Sequence, residues 1–185
     1  MTLRGKRWVL FGGSLVFLTA SLLLPGELGK LAVLLLGAAA LLAIFLDCRC
    51  DGSFQSSNSI LYGHNMQDDS MFGTLEYYEE QAYFAAHPVL YLLTPEVDYE
   101  VRLLAGLHVP LDDEIYETDW TEWDLQDYLR DIIERSDFDS GASYTDAERI
   151  LTLSTCGAGS RDTRYVLIGA MTELDRRETP RVAAE

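Results

Sequence analysis

Positive charge is scarce in this chain of 185 residues, which has 14 lysine and arginine residues against 30 aspartate and glutamate residues. The imbalance lies after position 46. Residues 1–46 have a net charge of +3, whereas residues 47–185 have a net charge of −19. An acidic body repels a phosphate backbone, which excludes a non-specific nucleic-acid-binding protein. The sequence therefore predicts a slightly basic, apolar head followed by an acidic body of single-domain size.

Several other features are missing. No apolar run after position 46 is long enough to cross a bilayer, which excludes a transporter with many spans. The sequence contains no P-loop, no dinucleotide fingerprint, no H-E-x-x-H and no G-x-S-x-G motif. The three cysteines are an odd number, which argues against a disulfide framework. Cys48-x-Cys50 lacks a second pair of ligands, so the sequence predicts neither a metal nor a cofactor.

The head contains two apolar runs. The first, Trp8–Leu24, is uncharged and near the lower length limit for a membrane span. The bases Arg4, Lys6 and Arg7 precede it, so the positive-inside rule predicts a cytoplasmic N-terminus and an external body. A cleaved signal peptide is the alternative, although no A-x-A site follows. If the second run, Leu31–Leu46, also crossed, the pair would form a hairpin and leave the body in the cytoplasm.

The sequence of the body predicts more strands than helices, which indicates a mainly antiparallel β or α+β domain. Asp119–Ser136 is the clearest helix, because its apolar residues share one face and Asp119 with Glu122 resembles a capping box. Weaker helical character is predicted for Thr74–Tyr83, with Ala82 on the buried face, and a frayed tail from Thr172. The predicted strands are Ser59–Tyr62, Val89–Leu93, Tyr99–Val109, Ile150–Leu153 and Tyr165–Met171.

Cys156 is the best candidate nucleophile. It ends the apolar strand ILTLST and precedes the small-residue loop GAGS. Arg161 and Arg164 follow, and a nearby guanidinium favours the thiolate and can hold an oxyanion. The alternative is a buried structural cysteine.

Each of the three histidines is a candidate acid or base. His64 lies in YGHNM, between a predicted strand and a polar loop, where an imidazole can project toward a substrate. His87 precedes Pro88 and can simply cap a helix. His108 falls late in a predicted strand.

Several of these segments resemble class B sortases. The run Ser59–Met66, SILYGHNM, resembles the histidine motif of that family, and MFGTL at 71–75 resembles its continuation. Thr152–Cys156, TLSTC, is similar to the cysteine motif, and Arg164 opens the strand in which the family has its catalytic arginine. The long helix before the cysteine strand also resembles class B. The resemblance covers about residues 43–171.

The resemblance implies a cysteine transpeptidase, a thiol-protease-like enzyme of the Gram-positive cell surface. It implies that Cys156 attacks the carbonyl of a threonine in the sorting signal of a secreted protein. His64 would transfer protons and Arg164, or failing it Arg161, would stabilise the oxyanion. A cell-wall crossbridge or pilin amine would then accept the acyl group. Substrate-binding roles are implied for Asn65, Ser154 and Thr155.

The implied fold is mainly β (α+β). It is a sortase-like barrel with a long helix before the cysteine strand, preceded by a membrane helix. The family's first barrel strands, which normally precede a strand like Ala43–Asp47, have no counterpart here, so an unpaired sheet edge is expected. The predicted organisation is an anchor at 1–42, a catalytic domain at 43–175 and a charged tail at 176–185, with 31–42 interfacial or re-entrant. A catalytically impaired peptide-binding protein is the alternative, and a membrane protein with an unrelated acidic domain is a third reading.

Overall fold

The structure is a computed structural model that describes residues 44–156 and 162–174. The predicted anchor at 8–24, the apolar segment 31–42, Arg161 and the tail from 176 lie outside these residues, so the predicted domain boundaries stay predictions. Within the described residues, no helix combines the length and the apolar character that a membrane crossing requires.

The described residues form six strands, two α-helices and two 3₁₀ helices. The strands are β1 (Phe45–Leu46), β2 (Asn58–Tyr62), β3 (Val89–Leu93), β4 (Asp98–Pro110), β5 (Ile150–Cys156) and β6 (Thr163–Leu174). The 3₁₀ helices are Leu75–Glu79 and Glu114–Tyr116, and the α-helices are α1 (Gln81–Ala86) and α2 (Glu122–Glu134). All five predicted strands are confirmed. β6 runs to Leu174, so the prediction of a frayed tail from Thr172 was wrong by three residues, because Asp98–Glu100 of β4 pair with this end of β6.

The six strands form one mixed sheet in the order β1-β2-β5-β6-β4-β3. β2 and β5 pair in parallel and every other neighbouring pair is antiparallel. The sheet is thus mainly antiparallel, as the sequence predicted, with one parallel pair. The parallel pair forms because two strands and four helical segments lie between β2 and β5, a connection long enough to bring β5 back beside β2 in the same direction.

The sheet has two open edges. Among the described residues, no strand pairs with the outer side of β1 or of β3. Large apolar side chains are exposed at both edges: Ile44 and Phe45 at one, and Tyr91 and Leu93 at the other. The expected unpaired edge is therefore present among the described residues, which form an open sheet rather than a closed barrel.

Both faces of the sheet are covered, so its central strands are buried on both sides. The first face packs against the first 3₁₀ helix, α1 and Phe138, and the second face packs against α2. Leu104 and Gly106 of β4 are both buried. Leu104 faces α2, whereas Gly106 faces Phe138 and Tyr165 on the other side of the sheet, because the β4–β6 register shifts between Leu103 and Ala105.

The two helical regions differ from their predicted boundaries. The predicted helix at 74–83 is a 3₁₀ helix followed by α1, with Glu80 in an extended conformation between them. Because of this break, Phe84 is buried and Ala82 is exposed. α2 begins later than Asp119, since its N-cap is Thr121, whose side chain accepts a hydrogen bond from the Asp124 amide. The predicted buried stripe of α2 holds at Leu125, Tyr128, Leu129 and Ile132, while Ile133 is half-buried.

Candidate active site

The three predicted catalytic residues belong to three neighbouring strands of the sheet and lie at the same end of it. Cys156, the last residue of β5, is the backbone partner of Arg164 near the start of β6. On the other side of β5, the parallel pairing with β2 ends at Tyr62 and Ser154. His64 and Cys156 are each two residues beyond that last pair. The backbone register therefore brings the histidine, cysteine and arginine positions to one end of three adjacent strands.

The residues around His64 have fixed backbone contacts. The Gly63 amide donates to the Ser154 carbonyl at 3.1 Å, so the β2–β5 ladder continues to the residue before the histidine. The His64 carbonyl accepts a hydrogen bond from the Phe72 amide at 3.1 Å. The His64 side chain is exposed. This arrangement holds the backbone firmly and leaves the imidazole accessible.

The loop after His64 folds back on itself. Asn65 and Met71 form an isolated antiparallel bridge, and Asp69 and Met71 have positive φ angles of 62° and 56°. The backbone of Gly73, at the end of the loop, approaches the Met66 carbonyl oxygen closely. A Cβ atom at this position would collide with that oxygen, so the close approach requires glycine. Asn65, one of the predicted substrate-binding residues, is half-buried at the base of this loop.

Arg164 lies opposite the nucleophile position. The two backbone positions are direct partners in the antiparallel β5–β6 ladder. The Arg164 guanidinium is half-buried, and its Nη1 donates to the Thr163 carbonyl at 3.0 Å.

The two residues before Cys156 project from opposite faces. Ser154 is on the face that Tyr116 covers and is 1% exposed, and its Oγ lies 3.2 Å from the Tyr116 Oη. Thr155 is on the other face beside Tyr165, and its Oγ1 is buried without a hydrogen-bond partner in the described residues. The substrate-binding roles of both residues stay predictions.

Aromatic rings flank Ser154. The sequence did not identify these rings as part of the site. Tyr62 stacks on Tyr116 with ring centroids 6.3 Å apart, and Phe45 packs against Tyr62 at 5.3 Å. Partial burial and a hydrogen bond to Asp47 raise the pKa of Tyr62 well above its ordinary value. Tyr62 is detectable from the sequence, because it precedes Gly63-His64 and alternation places it on the face of Ser154. Tyr116 carries no local signal.

The other candidate residues have structural environments of their own. His87 is the C-cap of α1 and its Nδ1 lies 3.0 Å from the Tyr83 carbonyl oxygen, as the capping interpretation predicted. His108 Nε2 lies 2.7 Å from a Glu79 carboxylate oxygen. Cys48 and Cys50 are free thiols, and burial raises the pKa of Cys50. Across residues 44–156 and 162–174, no cluster of three or more His, Cys, Asp or Glu side chains could hold a metal ion.

Comparison with known proteins places this geometry in a family. No family model matches the chain. Sortase B of Listeria monocytogenes is 36% identical over 115 residues, which are 62% of this chain and 47% of that protein. Sortase B of Staphylococcus aureus is 30% identical over 130 residues, 69% of this chain and 53% of that protein. The chain thus spans about half the length of these curated relatives.

Solved structures indicate the same family as these curated relatives. A Staphylococcus aureus sortase B–substrate complex matches with a TM-score of 0.66 and 29% identity, covering 72% of this chain and 63% of that one. Sortase B from Listeria monocytogenes matches with a TM-score of 0.61 and 34% identity, covering 71% and 72%. The fold is that of sortases. The chain belongs to the class B sortases, which confirms the resemblance drawn from its motifs.

Proposed function

We propose that the chain is a cysteine transpeptidase that cleaves a sorting signal of secreted proteins and transfers the acyl product to an amine. The observation that carries this proposal is the register that aligns His64, Cys156 and Arg164 at one end of β2, β5 and β6. The substrate complex of a Staphylococcus aureus relative supports a peptide as the class of ligand.

The proposed reaction has two balanced steps. The Cys156 thiolate adds to the carbonyl carbon of a threonine, the C–N bond breaks, and the amine leaves with a proton from His64. A second amine, from a cell-wall crossbridge or a pilin lysine, then gives a proton to His64 and attacks the thioester, which releases the thiolate. Arg164, the backbone partner of Cys156, would stabilise the oxyanion of each tetrahedral intermediate.

A fluorophore–quencher peptide library with a fixed threonine, assayed with triglycine or lysine amide as acceptor, tests this proposal. The full-length chain in detergent should cleave part of the library and form the peptide–amine product, detected by mass spectrometry. Cys156→Ala should lower the rate about a thousandfold or more, since the nucleophile is removed. Cys48→Ala, which removes an exposed thiol elsewhere, is the matched control. Full activity of Cys156→Ala would contradict the mechanism.

A second function is favoured by the open sheet. With two unpaired edges among the described residues, the second candidate is a protein that binds a peptide at the same end of β2, β5 and β6 without processing it. The two functions separate in the same assay. A peptide binder would retain labelled library peptides, measured by fluorescence anisotropy, and neither wild type nor Cys156→Ala would produce a peptide–amine adduct.

We also propose a location on the outer face of the membrane, with a single crossing by residues 8–24 and a cytoplasmic N-terminus. The proposal is supported by the bases Arg4, Lys6 and Arg7 before the first apolar run and by the acidic body after it.

A further inference from the structure

An ion pair lies next to the aromatic rings of the site and has no role in the mechanism above. Asp47 and Arg49 occupy the turn that follows β1. Arg49 donates to the Asp47 carboxylate from Nε at 3.1 Å, from Nη2 at 3.0 Å and from its own amide at 2.9 Å. The two side chains thus form a bidentate pair, the geometry in which arginine and carboxylate interact most strongly.

The pair also holds each of the two tyrosines. The Tyr62 hydroxyl donates to an Asp47 carboxylate oxygen at 3.0 Å. The Arg49 Nη2 donates to the backbone carbonyl of Tyr116 at 2.7 Å. Asp47 therefore holds the ring at the end of β2, while Arg49 holds the backbone of the second 3₁₀ helix.

This ion pair differs from ordinary surface pairs of the protein. The Asp47 side chain is only 10% exposed, whereas both partners of the Arg130–Asp127 pair on α2 are more than half exposed. Exposed pairs contribute little because water and salt screen them. The hydrogen bonds from Arg49 lower the pKa of Asp47. The carboxylate therefore stays charged and holds both partners at neutral pH.

The two tyrosines connect the pair to the strand of the nucleophile. Their rings are stacked, and the Tyr116 hydroxyl lies 3.2 Å from the hydroxyl of Ser154. Ser154 is two residues before Cys156 in β5. The chain of contacts runs from the ion pair to the rings, and from the rings to the wall beside the nucleophile position.

We propose that Asp47 and Arg49 are positioning residues for the acyl-donor peptide. They fix Tyr62 and Tyr116 as one rigid wall beside the Cys156 strand, so that the peptide binds to a preformed surface. Preformed surfaces bind more tightly because less side-chain freedom is lost on binding. The inference rests on the proposed function, since it assigns these residues to the peptide of that reaction. Neither residue touches the reacting atoms, so they act on peptide binding and not on thiol chemistry.

Steady-state kinetics of full-length variants in detergent test the proposal, with the best-cleaved library peptide as substrate. Arg49→Ala and Asp47→Asn should each raise KM about tenfold, the effect of about one lost hydrogen bond to a charged group, with kcat within about twofold. Tyr62→Phe keeps the ring but loses its bond to Asp47, so its KM should rise about threefold. Arg49→Lys should fall between wild type and Arg49→Ala, because lysine can reach Asp47 but cannot form the fork.

Two further measurements separate positioning from general damage. Iodoacetamide labelling of Cys156, followed by mass spectrometry, should proceed at the wild-type rate in all these variants. Arg130→Ala, which removes an exposed ion pair of α2, should leave KM unchanged. An unchanged KM in both Arg49→Ala and Asp47→Asn, or a fall in kcat or in labelling rate at constant KM, would overturn the proposal.

Binding to Cys156→Ala protein distinguishes this proposal from the proposed reaction. Anisotropy with the fluorescein-labelled library needs no turnover. If wild type does not cleave but Cys156→Ala binds the library, and adding Arg49→Ala weakens that binding, the reaction fails and the positioning role stands. If binding is equal with and without Arg49→Ala, the positioning role fails, whatever the activity. If nothing binds and nothing is cleaved, both proposals are wrong.

Discussion

Asn58 is a fully buried polar side chain that joins three parts of the chain. Its Nδ2 donates to the carbonyls of Ile115 at 3.1 Å and Glu117 at 2.8 Å, and its Oδ1 accepts from the Thr152 hydroxyl at 2.8 Å. β2, β5 and the segment after β4 therefore depend on one amide. This amide holds the second 3₁₀ helix against the strands, and with it Tyr116.

Replacing Asn58 by leucine should lower the free energy of unfolding by about 2–4 kcal/mol, because two carbonyls and one hydroxyl would be buried without partners. Thr152→Val, which removes one of those three bonds, should cost about 1 kcal/mol. Urea denaturation followed by circular dichroism measures both. Gln67→Leu replaces an exposed amide and is the control. A loss in Asn58→Leu no larger than that in Gln67→Leu would contradict this account.

At the scale of residues, the sequence was most informative where the candidate functional residues lie within short contiguous motifs. His64, Cys156 and Arg164 could be proposed from short motifs, and the family they indicated is confirmed. Asp47 and Arg49 could not be proposed, because their contacts are made by distant segments. Arg49 and Tyr116 are 67 positions apart, and their hydrogen bond exists only after the chain between β4 and α2 folds back over β2.

At the scale of elements, α2 shows why a helix is easier to predict than its boundary. Two overlapping patterns, Asp119-x-x-Glu122 and Thr121-x-x-Asp124, both resemble helix starts. The structure uses the second. Trp120 is held outside the helix, since its amide donates to the Ser57 hydroxyl at 2.7 Å and its ring stacks on Tyr128 at 4.7 Å. These are tertiary contacts, and no local pattern contains them.

Asp119 and Thr121, the two candidate N-caps of α2, lead to opposite predictions about stability. Thr121→Ala should lower the free energy of unfolding by about 1 kcal/mol, because the Asp124 amide loses its acceptor. Asp119→Ala, at an exposed position before the cap, should change it by less than about 0.5 kcal/mol. Thermal and urea unfolding of the two variants side by side decide the question. A larger loss in Asp119→Ala than in Thr121→Ala would mean that the helix begins where the sequence first indicated.

At the scale of the whole molecule, the strand order is the feature that the sequence could not supply. Neighbours in sequence are neighbours in the sheet only for β1–β2, β3–β4 and β5–β6. The parallel β2–β5 pair, which brings the histidine and cysteine positions together, joins segments about 90 residues apart. A parallel pair requires a long crossover, so its existence depends on how the whole body packs and not on the strands alone.

The charge division between head and body leads to a prediction about orientation. A single crossing by residues 8–24 places the exposed thiol of Cys48 outside the cell, whereas a membrane hairpin places it in the cytoplasm. In a Cys50→Ala, Cys156→Ala background, a membrane-impermeant maleimide should label Cys48 in intact cells. As the matched control, Thr2→Cys in a chain with all three native cysteines replaced by alanine should be labelled only after permeabilisation. Labelling of Cys48 that also requires permeabilisation would contradict the single crossing. It would also remove the proposed reaction from the cell surface, because a cytoplasmic body cannot reach secreted proteins or cell-wall amines.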